Sequence, residues 1–157
     1  MSESSSPAEI VIIGSGIMSA KLAVLLKQLD PTNRITVYEA AEELSPEASH
    51  GWHNAGTGHA GICELSYTPD LEADGTVDVT KAIDIFAEFE QSLQFWAHAV
   101  HSGIIKDPGT FIQPVPHVSF VRTAEQLAYL KARYEGLAAH HFFSSMAFST
   151  DRSKIDA

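Results

Sequence analysis

Cysteine is nearly missing from this chain: Cys63 is the one thiol in 157 residues. A single cysteine excludes an internal disulfide framework and fits a reducing compartment. Basic residues are scarce as well, 10 Lys and Arg against 20 Asp and Glu, giving a net charge of −10. Binding to phosphate backbones needs a basic face, so nucleic acid is excluded as a partner, and anionic lipid is equally disfavoured. No run of ~18 apolar residues is present to span a bilayer. The opening MSESSSPAE is polar and acidic, without the basic start and apolar stretch of a secretion signal. Residues 1–8 therefore read as a disordered lead-in. The remainder has ordinary globular composition, 45% hydrophobic and 19% charged, and is long enough to bury a core.

The stretch from Glu9 to Glu39 organises the rest. Ile10-Val11-Ile12-Ile13 is an apolar, β-branched run expected as a fully buried strand. Gly14-Ser15-Gly16 follows, then an apolar-periodic helix from Ile17 to about Leu29. Asp30-Pro31-Thr32-Asn33 stops it, because Pro31 removes a donor and biases Asp30 out of helical space. A second strand, Ile35 to Tyr38, ends on the acid Glu39. Strand, glycine turn, helix, strand and acid is the order of a dinucleotide-binding βαβ unit, so the expected fold class is α/β. Gly14 allows the sharp turn, and Gly16 lets the backbone approach a pyrophosphate at the helix N-terminus. Ser19 stands where a third glycine would allow close packing. Glu39 lies 23 residues after Gly16, near the ~20-residue spacing at which an acid takes the ribose hydroxyls. The same carboxylate repels a 2′-phosphate and so argues against NADP. The bland alternative is a glycine turn in a βαβ unit that binds nothing.

After a polar, Pro46-interrupted segment, residues 50–61 hold four glycines, Trp52 and three histidines in twelve positions. That composition suits a loop whose backbone approaches a ligand closely. Ile62–Tyr67 is expected as a short strand and Asp70–Val77 as an acidic turn. Asp78 or Thr80 would cap a long helix running to about Ser102 and closed by Gly103. Its stripe of Ile83, Phe86, Phe89, Leu93, Trp96 and Val100 is core packing. Phe111–Pro116 reads as an edge strand or loop and His117–Val121 as a strand. Thr123 and Gln126 form a capping box for a helix whose face is Leu127, Leu130, Tyr134 and Leu137. Residues 138–157 show no finished pattern. His50, His53, His59 and Cys63 fall at spacings that match no common zinc pattern, so no metal ligand is nominated. Cys63 lacks an evident activating base and reads as a small buried hydrophobe.

The blocks IIGSGIMSAKLAVLL, GWHNAGTGHAGICELSYTP, VDVTKAIDIFAEFEQSLQFW and VPHVSFV resemble the malate:quinone oxidoreductases, over nearly the whole chain from Glu9. The middle block is the specific one. The resemblance implies a Rossmann-like FAD-binding domain whose N-terminal part is residues 9–79, with a substrate or capping domain beginning over 80–157. Family members are about three times as long, so the chain is expected to be an N-terminal fragment, inactive alone. FAD is the implied cofactor. Gly14, Ser15, Gly16 and Ser19 would face the pyrophosphate and Glu39 the ribose. Asn54, Ala55, Gly56, Thr57 and Gly58 would run along the flavin. His59 is the one candidate for chemistry, as base or as donor, against a purely structural hydrogen bond. The implied activity is oxidation of (S)-malate to oxaloacetate in the tricarboxylic acid cycle, with electrons passed to a membrane quinone. The implied place is the cytoplasm, with peripheral contact at the membrane. Three alternatives stay open: another FAD enzyme acting on a hydroxy acid or amine, an NAD-dependent dehydrogenase, and a nucleotide-binding fragment without catalysis. Arg34, Arg122, Arg133 and Arg152 lie away from the glycine-rich loop in sequence, leaving no obvious clamp for substrate carboxylates.

Overall fold

The β-branched run after Ala8 forms β1 (Glu9–Ile13), and Arg34–Tyr38 forms β2. The two pair in parallel, with Ile10 opposite Ile35 and Ile12 opposite Val37. A parallel pair needs a crossover, and α1 (Ile17–Leu29) supplies it. The computed structural model describes residues 6–155. The disordered lead-in expected over residues 1–8 therefore falls, for residues 1–5, outside the described residues.

The helix ends where the proline requires. Asp30 is extended (φ −146°), and its carboxylate accepts from the Thr32 backbone N–H at 2.9 Å and from the Thr32 hydroxyl at 2.6 Å. Asn33, buried, ties the ends of the unit together: it donates to the Leu26 carbonyl and accepts from the Ala8 N–H, both at 3.3 Å. The expectation of a fully buried β1 fails. Only Ile12 is buried; Val11 is 61% and Ile13 86% exposed. Parallel strands become buried when both faces and both edges are covered. The sheet has two strands among the described residues, and α1, which packs against β1, buries no residue completely.

The backbone divides into two compact units, Met1–Thr57 and Gly58–Ala157. The second is built on α2 (Thr80–His101) and α3 (Ala124–Ala138). Capping of α2 comes from one position earlier than a standard N-cap: Val79 stands at the boundary, and Asp78 accepts from the Thr80 N–H at 2.9 Å. Gly103, at φ +75°, ends the helix. At α3 the capping box is offset by one residue. Thr123 accepts from the Gln126 N–H, but the Gln126 side chain reaches back to Arg122. Tyr67, Ala82, Leu137 and Phe143 form the buried core of this unit. Phe86, from the expected stripe, stacks on Phe142 at 4.5 Å and meets Phe143 edge-on at 5.2 Å.

Three expectations fail here. Ile62–Tyr67 is not a strand; its end is a 3-10 turn, Leu65–Tyr67. Side chains of α3 take hydrogen bonds that a neighbouring strand would otherwise supply. Arg133 donates to the Ile62 carbonyl at 3.2 Å, and the Tyr129 hydroxyl donates to the Thr68 carbonyl. His117–Val121 lies beside no other strand among the described residues, and Val118 and Phe120 are exposed. The core face of α3 is also rotated from expectation. Leu137 is buried, but Ala132 and Arg133 share that burial and Leu127 is exposed. The grip on segment 62–68 by Tyr129 and Arg133 sets the rotation. A short last helix, α4, runs Arg152–Ile155.

Candidate functional site

In the first unit the glycine turn is held at both ends. The Gly14 N–H donates to the Tyr38 carbonyl at 2.7 Å, so the chain leaves β1 still fixed to the end of β2. Gly14 sits at φ +88°, which a side chain would strain. An added Cβ there would meet nothing within 4 Å, and one on Gly16 only the Ser49 hydroxyl at 3.3 Å. The turn's outer side is therefore open to close approach.

Gly16 is the N-cap residue of α1 and has no side chain to satisfy the free N–H groups of the first turn. Ser49 does this from a distant loop, accepting from the Ile17 N–H at 2.9 Å. Glu39 returns to the same turn. Its Oε2 accepts from the Ser15 backbone N–H at 2.9 Å and from the Ser15 hydroxyl at 2.7 Å. Its Oε1 accepts from the N–H groups of Ala40 and Ala41 at 2.8 and 3.2 Å. Four donors on one carboxylate, the Ser15 hydroxyl foremost, lower its pKa to about 2. Ser45 closes the loop over the turn, its N–H donating to the Ser15 hydroxyl and its own hydroxyl to the Ser15 carbonyl. The result is a cleft of about 240 Å³ lined by residues 14–16, Glu39 and residues 45–49.

The loop that follows is braced by its own polar groups. The Asn54 amide donates to the carbonyls of Ala48 and His50, at 3.0 and 2.8 Å, and its oxygen accepts from the Gly56 N–H. The Thr57 hydroxyl donates to the Ala55 carbonyl. His53 Nδ1 is 2.9 Å from the Pro46 carbonyl. A carbonyl can only accept, so that nitrogen carries the hydrogen.

In the second unit, His59 Nδ1 lies 2.9 Å from the Tyr67 hydroxyl and 3.4 Å from the Cys63 sulfur. Tyr67 is 9% exposed, whereas His59 is exposed. Burial, with the neighbouring Cys63 and Glu64, pushes the Tyr67 phenol up from its ordinary value. Gly58 and Gly61 serve close packing onto α2. A Cβ on Gly58 would lie 2.6 Å from the Phe89 ring, and one on Gly61 2.2 Å from the Ala82 carbonyl oxygen. The glycine density that suggested a nearby ligand thus has, at these two positions, a packing cause.

Comparison with known proteins decides the family. The family model described as malate:quinone oxidoreductase matches residues 6–157. The chain belongs to the malate:quinone oxidoreductase family. It is 52% identical over 147 residues to "Probable malate:quinone oxidoreductase 2" of Pseudomonas aeruginosa, covering 94% of this chain and 29% of that protein. It is 51% identical to the corresponding protein of Gluconobacter oxydans, over the same shares. A Rhodopseudomonas palustris relative is 46% identical over 157 residues, all of this chain and 31% of its own length. The chain thus spans under a third of the relatives it matches.

Of the residues nominated from sequence for this malate:quinone oxidoreductase family member, the fold brings Gly14, Ser15, Gly16 and Glu39 to one cleft. Ser19 lies one turn into α1 and is not in its lining. Asn54, Ala55, Gly56 and Thr57 continue the loop braced onto Ala48 and His50. Gly58 and His59 open the second unit. Sequence reasoning missed Ser45 and Ser49, which looked like generic loop polarity. It also missed Arg133, 2% exposed, which reaches segment 62–68 from α3 although 70 positions separate it in sequence from Cys63. Burial lowers the Arg133 pKa, and no carboxylate pairs with it among the described residues. Among the described residues no helix is long and apolar enough to cross a membrane.

Proposed function

We propose that this chain is the dinucleotide-anchoring part of an FAD-dependent enzyme that oxidises (S)-malate to oxaloacetate. It passes the electrons to a membrane quinone, a step of the tricarboxylic acid cycle. Membership of the malate:quinone oxidoreductase family supports the reaction. The observation that carries the cofactor is Glu39 on the Gly14–Gly16 turn: an oxyanion already accepts hydrogen bonds from Ser15, in the turn that leads into α1. The positive φ of Gly14 and the open space beside it fit the close approach of a pyrophosphate. In this reading β1, α1 and β2 begin a Rossmann-like domain extending over 9–79, and residues 80–157 begin the substrate domain. Residues 58–79 nonetheless pack with the helices that follow.

Gly14, Ser15, Gly16 and Ser19 hold the pyrophosphate, and Glu39 accepts from the ribose hydroxyls. Asn54, Ala55, Gly56, Thr57 and Gly58 run along the flavin. Bound FAD supplies the acceptor for the hydride leaving C2 of malate. The chain's own groups bind, orient and keep water from the reacting atoms, and His59 is the candidate for the chemistry, as base or as donor. The protein works in the cytoplasm with peripheral contact at the membrane, and its substrates are malate and quinone.

The test uses a full-length protein carrying these residues. It should be yellow as purified and reduce a quinone analogue with malate in the absence of NAD. Glu39→Ala should weaken FAD retention more than it slows turnover at saturating FAD. A colourless protein that needs NAD, or unchanged FAD affinity in the variant, would overturn the reading.

A further inference from the structure

His59 can serve a reaction in two opposite ways. With hydrogen on Nδ1, its Nε2 is a free base; with hydrogen on Nε2, it is a donor. The tautomer is set by what faces Nδ1. Here that group is the Tyr67 hydroxyl at 2.9 Å, with the Cys63 sulfur farther off at 3.4 Å. Tyr67 is nearly buried, and a buried phenol proton needs an acceptor. The groups around it are few. The Glu64 carboxylate, which takes the Ser66 hydroxyl at 3.0 Å, also neighbours the phenol, and the Cys63 thiol is a weak acceptor. Lys81, 5.5 Å from the ring centroid, is a donor only. The acceptor in close contact is the His59 imidazole nitrogen, at 2.9 Å. The phenol also holds its proton more firmly than a solvated tyrosine, through burial first and the neighbouring Cys63 and Glu64 second.

The structure assigns Tyr67, by this geometry, as a positioning residue: its hydroxyl donates to His59 Nδ1 and fixes the hydrogen on Nε2. His59 then presents an N–H donor toward an acceptor atom, such as a carbonyl, an oxyanion or a ring nitrogen. It is not the base that takes the malate hydroxyl proton. Tyr67 is well placed to hold this arrangement, because its neighbour Thr68 is fully buried and gripped from α3. Arg133 Nε donates to the Thr68 hydroxyl at 2.8 Å, and the Tyr129 hydroxyl donates to the Thr68 carbonyl. The assignment of tautomer stands on contacts within residues 59–67. Only its role in turnover rests on the proposed function.

Nitrogen-15 shifts of the imidazole, read through its ring protons, test this on the 157-residue chain, with His59→Gln assigning the signal. Wild type should show one tautomer with hydrogen on Nε2. Tyr67→Phe, which keeps the ring, should yield a mixture, and Cys63→Ala should leave the tautomer unchanged. Hydrogen on Nδ1 in wild type would overturn the assignment outright. An unaltered tautomer in Tyr67→Phe, or a shift in Cys63→Ala, would remove Tyr67 from the role. In the full-length enzyme, His59→Gln keeps an amide donor near the Nε2 position and should stay within about tenfold of wild-type turnover. His59→Ala should lose ~10²-fold or more, as for a missing transition-state donor. Equal loss in both variants would mark a base and refute the donor role. A protein that never oxidises malate but shows the Nε2 tautomer would sink the proposed function and leave the Tyr67–His59 assignment standing.

Discussion

Gly61 offers a direct measure of how tightly the loop after His59 packs on α2, and Gly103 provides the matched control. Both sit in the second unit at nearly equal positive φ, +72° and +75°. Alanine at either position bears the left-handed backbone cost of about 1–2 kcal/mol. At Gly103 an added Cβ meets nothing within 4 Å, so that cost stands alone. At Gly61 the Cβ would lie 2.2 Å from the Ala82 carbonyl oxygen and 3.1 Å from its carbon. Ala82 is fully buried in the first turn of α2, so its carbonyl cannot swing aside without breaking the helix ladder. Relief must come from a shift of loop or helix, an overpacking cost of about 1–3 kcal/mol. Gly61→Ala should therefore destabilise by about 2–5 kcal/mol and Gly103→Ala by about 1–2 kcal/mol. Urea unfolding followed by Trp96 fluorescence reads the difference in a Trp52→Phe background. Trp52 is 91% exposed in the first unit, and its removal confines the signal to α2. Equal destabilisation by the two variants, within about 0.5 kcal/mol, would refute the claim that backbone contact with α2 demands glycine at 61.

The Glu39 carboxylate is held at about 2 against an ordinary 4.5. A depressed folded pKa gives stability that is complete above 4.5 and lost as pH falls toward 2. Asp30, Asp74 and Asp78 are lowered too, by their Thr32, Thr76 and Thr80 partners, so the test is a difference. The stability gap between wild type and Glu39→Gln should narrow between pH 4.5 and 2; a gap independent of pH would contradict the hydrogen bonds to Ser15. Arg133→Met removes the donors to the Ile62 carbonyl and the Thr68 hydroxyl, and should cost about 2–4 kcal/mol. Because Thr68 shares that contact, Thr68→Val should be non-additive with it in a double-mutant cycle. Simple additivity by urea unfolding would show that the two do not act together.

Much of the first unit was legible in the sequence. Apolar periodicity, the Gly14–Gly16 turn, Asp30-Pro31 and the acid after β2 are local signals, and each maps onto a local consequence. Helix α1 begins and ends where these residues place it, and the acid after β2 hydrogen-bonds the turn before that helix. Burial of β1 was not legible, because exposure depends on how many strands and helices lie beside a strand. Nor was the reason for Gly58 and Gly61. A glycine in sequence announces that something comes close without saying what, and here it is Phe89 and Ala82.

The sequence by itself determined the βαβ order, the acid after it and the family, because each is written in neighbouring residues or in a long matched pattern. Tertiary structure alone decided which distant groups meet. Ser49 caps a helix that begins 32 residues earlier. Arg133 and Tyr129 take carbonyls that a strand would otherwise pair, turning Ile62–Tyr67 away from a sheet. Tyr67 reaches His59 Nδ1. Such contacts have no local signal, since a hydrogen bond depends on where the chain folds back rather than on its next few residues.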